Sequence, residues 1–174
     1  LPSRETPERG PLILLPGSRG GELRRHLPVL AALAPDLARH AAVSELVIPT
    51  LPQLKTRLDR ETSTWPVPVH VVASRSERRE LYASAVAALC VSGTVTLELA
   101  LARVPMVVMY ALDAPQARIY DKLGRPHVSL PNIVLGRAAV PELVTAPLSP
   151  DALRPLIVDL LDNKKARQDQ VAAF

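Results

Sequence analysis

Short β-branched or leucine-rich runs alternate along the chain with longer stretches of helical character. The runs are LILL at 12–15, ELVI at 45–48, VHVV at 69–72, VAALC at 86–90 and MVVMY at 106–110. Helix-sized segments follow them at 22–40, 52–61, 76–84, from Thr94 to Arg103 and from Pro115 to Leu123. A half-exposed strand alternates apolar and polar residues, whereas these runs are apolar on both faces, as strands of a parallel sheet covered by helices on each side are. The pattern predicts an α/β, Rossmann-like fold: five parallel strands with helices on both faces of the sheet.

Three stretches depart from that rhythm. Pro28 and Pro35 fall inside the first long helical segment, which predicts a turn or kink before Pro28 and places Pro28 in the first turn of the main helix. GRPHVSLPNIVLGRAAVPELV at 124–144 holds too much Pro and Gly for a long regular element, so an ordered loop with short helical turns is expected there, its apolar positions packed. Pro150 in a helical first turn, with Ser149 before it as a cap, opens a last helix running through Leu161. The reading is one domain over 12–162, a proline-rich linker or frayed entry at 1–11, and a tail or truncated helix at 163–174. A start at Leu1 rather than methionine and an end at QVAAF suggest a piece of a longer protein.

Composition narrows the classes. With 174 residues, 48% hydrophobic and 22% charged, the chain can bury one sizeable core, drawn from Leu, Val and Ala because aromatics are only 3%. The single cysteine, Cys90, sits in AVAALCVSG, which excludes an intrachain disulfide framework and a cysteine metal cluster and reads as a buried structural thiol. His26 and His127 have no third ligand at a recognisable spacing, so no zinc site is expected. The net charge of +4 permits attraction to phosphates, nucleic acid or an anionic membrane without choosing among them. The basic runs RSERRE and KKAR carry no interleaved aromatics, which favours solvated helix faces or membrane-surface contact and no nucleic-acid partner. The longest uncharged stretch, Leu81 to Leu97, falls short of spanning length and is broken by Ser84, Ser92, Gly93 and Thr94.

Candidate chemistry concentrates in three places. In LLPGSRGGELRRH at 14–26 a buried strand stops and a helix begins at Glu22. Backbone N–H groups around Gly17, Ser18 and Arg19 would then stand at the carboxyl edge of the sheet, with the Arg19 guanidinium as a planar donor for a phosphate or sugar hydroxyl. The spacing fits neither GxxxxGK[ST] nor GxGxxG, and a plain Gly-rich turn is the alternative. In CVSGTVTLELA at 90–100, Ser92, Gly93 and Thr94 form a small-residue turn able to face a diphosphate, and Glu98, four residues on and on the same helix face, can accept both hydroxyls of a ribose; otherwise Glu98 serves the helix dipole and pairs with an arginine. Two such turns at one sheet edge argue together for a nucleotide diphosphate. In the third stretch, 110–143, Tyr110 ends a strand at the same edge, Asn132 either caps a turn or finds a buried partner, and Arg137 is either solvated or turned to a ligand. No GxSxG elbow accompanies Ser18 or Ser92, and Asp36, Asp59, Asp113 and Asp121 give no facing carboxylate pair.

Taken in order, LLPGSRGGELRRHLPVL, SGTVTLELALARVPMVVMY and VSLPNIVLGRAAVPELV strongly resemble the lipid-A-disaccharide synthases, from about Ile13 to Leu161. The resemblance implies the C-terminal, UDP-binding half of a two-domain GT-B glycosyltransferase that uses no metal or other cofactor. Its partners would be a UDP-sugar donor and, through an N-terminal half not in this chain, an acylated-sugar acceptor. The implied reaction transfers 2,3-diacylglucosamine from UDP to 2,3-diacylglucosamine 1-phosphate with inversion, in the cytoplasm, at the inner face of the cytoplasmic membrane. It implies that Gly17, Ser18 and Arg19 lie beside diphosphate or sugar, that Ser92, Gly93 and Thr94 receive the diphosphate, that Glu98 binds ribose, and that Asn132 and Arg137 line the cleft. The family's proposed base is an acidic residue of the N-terminal half, so no catalytic residue is expected in this chain and no turnover by it alone. One departure stands out: LGRAAV carries Ala138 where the family usually has an acidic residue after the arginine, which loosens the substrate assignment more than the fold. A UDP-sugar epimerase, another UDP-sugar transferase and a noncatalytic nucleotide-sugar-binding module are the competing readings.

Overall fold

The computed structural model describes residues 5–174; the first four residues of the expected linker lie outside the described residues. Six strands form one parallel sheet: β1 (Gly10–Leu15), β2 (Val43–Pro49), β3 (His70–Val72), β4 (Ala87–Val91), β5 (Met106–Ala111) and β6 (Glu142–Thr145), in the order β3-β2-β1-β4-β5-β6. Helices α1 (Gly20–Arg39), α2 (Pro52–Thr62), α3 (Arg75–Ser84), α4 (Thr94–Leu101) and α5 (Ala114–Lys122) each follow a strand. The short α6 (Leu130–Leu135) precedes β6, and α7 (Pro150–Asp162) and α8 (Lys164–Ala173) close the described chain.

The period-2 geometry of the strands divides the core into two layers. Leu12, Leu14, Leu46, Ile48, Leu89 and Met109 join Leu23, Leu30 and Leu37 of α1 and Ile157 and Leu160 of α7 on one face. Ile13, Val47, Ala88, Cys90 and Val108 turn to the other face, against Leu81 of α3 and Leu99 of α4. Both faces of the central strands are therefore buried, which is why their runs read as unbroken apolar sequence.

Four expectations need revision. The sheet has a sixth strand, β6, inside the stretch read as loop; it pairs with β5 from Val108↔Glu142 to Ala111↔Thr145. Its four residues are all half-buried at the sheet edge, so ELVT lacks the apolar density of a central strand. α1 runs unbroken through Pro28 and Pro35 rather than turning before Pro28. Leu23, Leu27, Leu30, Leu33 and Leu37 supply a continuous buried stripe, and Pro28 sits on the exposed side, where the carbonyl freed at Arg24 faces away from the core. β1 begins at Gly10, two residues before the expected core, and Thr6 is already buried, so the entry segment is partly structural. At the other end α8 is a helix whose Arg167 is buried rather than solvated: its Nη1 donates to the carbonyls of Leu160 and Leu161 and closes the end of α7. No helix among the described residues is long and apolar enough to cross a membrane.

Candidate functional site

The strand order reverses between β1 and β4, and in an open parallel sheet that reversal leaves a crevice beyond the carboxyl ends of the strands. Leu15 pairs with Cys90, so the turns that leave β1 and β4 depart side by side from one rim. Between them lies a cavity of about 470 Å³, lined by Gly17, Ser18 and Arg19 from the first turn and by Ser92, Gly93, Thr94 and Glu98 from the second. These seven residues, singled out from two stretches some seventy positions apart, thus share one opening.

The second turn opens onto a helix N-terminus that no side chain caps. Gly93 is the N-cap of α4 with φ +147° and ψ −170°, a conformation left to glycine, and it has no side chain to bond the first amides of the helix. Nothing lies within 4 Å of where a Cβ would stand on Gly93, so its surface is open to a ligand. The turn is also held from behind. The Ser92 hydroxyl donates to the Val128 carbonyl at 2.7 Å; the Thr96 hydroxyl donates to the Gly93 carbonyl at 2.7 Å and accepts from the Leu130 amide at 3.3 Å. Glu98 is exposed on the cavity wall one helical turn below Thr94.

The first turn is different from its sequence reading. Its amides are not free: the Glu22 carboxylate accepts from the Ser18 N–H at 3.0 Å and from the Arg19 N–H at 3.2 Å through the same oxygen, Oε2. Glu22 sits three residues after the N-cap Arg19, the position from which a glutamate reaches back to the start of its own helix. The anion cradle of this turn is filled from within the chain. What the turn offers outward is the Arg19 side chain, 86% exposed, with Nη1 4.0 Å from the Glu22 carboxylate. Gly17, at φ +104°, packs so closely on Glu22 that a Cβ there would stand 2.6 Å from the Glu22 Cβ.

Tyr110, Asn132 and Arg137 do not line this cavity. Tyr110 reaches the same rim near the end of β5 but packs against α1, its ring centroid 5.4 Å from that of His26 and 6.0 Å from the Arg25 guanidinium carbon. Asn132 is fully buried in α6, where its Oδ1 accepts from the Ala139 and Val140 amides and its Nδ2 donates to the Val140 carbonyl, all at 2.8 Å. That arrangement staples the LPN helix to the following loop, as a buried amide with partners does. Arg137 is exposed beside α7 and α8, in a shallow groove with Asp159 and Asp169, away from the two turns.

Several contributors carried no motif. His26, read as part of a basic cluster, is fully buried; its Nε2 accepts from the Ala111 amide at 2.9 Å, joining α1 to the end of β5, and burial pushes its pKa below the ordinary histidine value. Glu142 of β6 accepts from the Ser129 amide at 2.8 Å and from Val128 at 3.3 Å, with His127 Nδ1 at 3.3 Å. Burial works to raise its pKa, but these hydrogen bonds outweigh it and hold the carboxyl below the usual range. Through Val128 and Ser129, β6 thereby steadies the backbone on which the Ser92 turn rests. Thr50 and Leu51 after β2, and Arg78 and Tyr82 of α3, complete the cavity wall. Glu22 had a sequence signal, its capping position three residues after Arg19; Arg78, read within the solvated basic run RSERRE, instead donates its Nη2 to the Thr50 carbonyl at 3.0 Å, and neither it nor Glu142 had a signal. No group of three or more His, Cys, Asp or Glu residues able to hold a metal occurs among the described residues.

Residues 4–173 match the family model of lipid-A-disaccharide synthetase. The lipid-A-disaccharide synthase of Bradyrhizobium diazoefficiens is 37% identical over 172 residues, covering 98% of this chain and 44% of the relative. That of Rhodopseudomonas palustris is 38% identical, covering 94% of this chain and 42% of the relative. The chain thus spans less than half the length of these relatives. Among solved structures, a UDP-N-acetylglucosamine 2-epimerase-like protein of Listeria monocytogenes superposes with a TM-score of 0.62 over 94% of this chain and 40% of that one at 16% identity, a likeness of fold alone. On the family match and the identity of these relatives, the chain belongs to the lipid-A-disaccharide synthetase family.

Proposed function

We propose that this chain is the donor-binding half of an inverting glycosyltransferase that moves 2,3-diacylglucosamine from UDP to 2,3-diacylglucosamine 1-phosphate. The observation that carries the reading is the convergence of the Gly17–Arg19 and Ser92–Thr94 turns on one cavity at the strand-order reversal. The open end of α4 receives the diphosphate, since helix N-termini favour negative charge through their unpaired amides and dipole. Arg19 closes on the diphosphate or sugar from the opposite wall, and Glu98 accepts the ribose hydroxyls. As the glycosidic bond to UDP breaks, negative charge gathers on the leaving diphosphate. Donors fixed in place by the Ser92–Val128 and Thr96–Gly93 bonds stabilise that charge with little rearrangement.

The acceptor hydroxyl must lose its proton as it attacks, and that task falls to a base. Of the two cavity carboxylates, Glu22 is engaged with two amides and Glu98 serves the ribose, so we place the base outside residues 1–174. Asn132 acts on the cleft indirectly, by tying α6 to the loop that follows it, whereas Arg137 stands apart from the cleft. The acylated substrates call for work at a membrane surface. The exposed Ile133, Val134 and Leu135 of α6 and the exposed Ile119 and Leu123 give the chain apolar surface alongside its positive charge.

The test is product analysis with the complete protein, given UDP-2,3-diacylglucosamine and 2,3-diacylglucosamine 1-phosphate. Released UDP together with a β-1,6-linked disaccharide supports the reading. Isomerised sugar still attached to UDP would instead assign an epimerase.

A further inference from the structure

Two helix starts face the crevice, and the chain treats them differently. At Gly93 no side chain caps the first turn of α4. At Arg19 the Glu22 carboxylate already sits where an anion would, its Oε2 accepting from the Ser18 N–H at 3.0 Å and from the Arg19 N–H at 3.2 Å. A Cβ on Gly17 would meet that same Oε2 at 2.5 Å, so the backbone is shaped around the carboxylate. The Glu22 side chain is only 13% exposed, whereas the Arg19 side chain is 86% exposed and its Nη1 comes no nearer than 4.0 Å to the Glu22 carboxylate. A solvated, loosely held cation offsets little of a sheltered, fixed negative charge. Leu15 of β1 and Cys90 of β4 are register partners, and neighbouring strands lie about 4.8 Å apart, so this charge stands beside the open end of α4.

We propose that Glu22 is a specificity-determining residue that discriminates by charge between the intact donor and the nucleotide left after transfer. It admits a diphosphate capped by a sugar and disfavours the same diphosphate once the sugar has gone. This rests on the donor-binding reading above. In a nucleotide-diphosphate sugar each phosphate is esterified on both sides and carries one negative charge. When the glycosidic C–O bond breaks, its electron pair stays on the diphosphate oxygen, and the terminal phosphate becomes a monoester carrying close to two charges at pH 7. The unpaired amides of α4 stabilise the added charge as it forms, but a site that did nothing else would also retain the product. The fixed Glu22 carboxylate repels that added charge and so favours release. For one extra unit charge at about 7 Å and an effective dielectric of about 40–80, the repulsion amounts to a factor of roughly 3–7 in affinity. A carboxylate that served only to cap α1 would act on both ligands alike.

The test titrates the 174-residue chain and its Glu22→Gln and Glu22→Ala variants with UDP, UDP-N-acetylglucosamine and the β-methyl ester of UDP, which removes the added charge without supplying a sugar. Both amide bonds go to one oxygen, so Glu22→Gln can keep them while losing the charge. It is expected to tighten UDP by about fivefold and to leave both esters within about twofold of the parent. Glu22→Ala also frees the two amides, and it is expected to move the UDP-to-ester ratio in the same direction. In the complete protein, Glu22→Gln should strengthen inhibition by UDP by a similar factor while the donor KM stays within about twofold. A UDP-to-ester ratio unchanged in both variants would reduce Glu22 to a helix cap and overturn the proposal, as would equal weakening of all three ligands. Failure of the parent chain to bind UDP or either ester would remove the donor-binding reading itself, and this proposal with it.

Discussion

Replacing Gly17 by alanine tests the first turn where its geometry is tightest. At φ +104° an L-residue is strained by roughly 1–3 kcal/mol. The new Cβ would also stand 2.6 Å from the Glu22 Cβ and 2.5 Å from its carboxylate oxygen. The first of these atoms is fixed by the start of α1, so the conflict is not relieved by rotating the carboxylate alone. Glu22 must move away, releasing the Ser18 and Arg19 amides it now holds. Those bonds are exposed to solvent, so their loss adds only about 1 kcal/mol. Together the two effects predict a destabilisation of about 2–4 kcal/mol for Gly17→Ala, which in urea lowers the unfolding midpoint by roughly 1–2 M at a typical slope. A double-mutant cycle isolates the contact: in a Glu22→Gly background both the Cβ and the carboxylate are gone and only the backbone strain at position 17 remains, so Gly17→Ala should cost less there than in the parent. Strict additivity of the two substitutions would refute the claim that Gly17 is glycine because Glu22 fills the cradle.

Other consequences follow from residues outside the cavity. Cys90 is fully buried, and burial pushes its thiol well above the ordinary range, so a thiol reagent at pH 8 should label it only at the rate of unfolding; prompt labelling of the native chain would contradict this. Asn132→Ala strands the Val140 amide and carbonyl and leaves the Ala139 amide with only its bond to the Arg137 carbonyl, and thermal or urea unfolding should register a loss of about 2–4 kcal/mol. His26 has a folded pKa depressed below 6.5 by burial, while the unfolded chain takes up its proton near that value. Stability should therefore fall as pH drops below about 6.5 and keep falling until the folded pKa is reached, and His26→Gln should flatten that part of the profile; an identical slope in the variant would count against it.

How much of this was legible in the sequence depends on what each residue had to signal. The central strands β1, β4 and β5 were readable because they are buried on both faces, β2 and β3 because their valines, leucine and isoleucine still cluster in short runs, and the two turns because Gly17 and Gly93 stand where a strand stops and a helix starts. β6 escaped because an edge strand of four half-buried residues, set among prolines, has neither alternation nor an apolar run. The continuity of α1 through Pro28 and Pro35 escaped because local proline rules were outweighed by its buried leucine stripe, a tertiary effect. The filling of the first turn by Glu22 was hidden for another reason: the same Gly-rich turn can bind an outside anion or an inside carboxylate, and sequence order does not say which arrives. Glu142 shows how a residue far along the chain holds the Ser92 turn from behind, by accepting from the Val128 and Ser129 amides beside the carbonyl that Ser92 bonds.

The central claim is that the two turns form a single nucleotide-diphosphate site, and mapping UDP on the isotope-labelled chain by chemical-shift perturbation tests it most directly. Saturable shifts are expected, confined to the amides of Gly17–Arg19, of Ser92–Val95 and around Glu98, with the Arg137 groove silent. Shifts centred on Arg137, or none near Gly17 and Gly93 at saturating UDP, would contradict it.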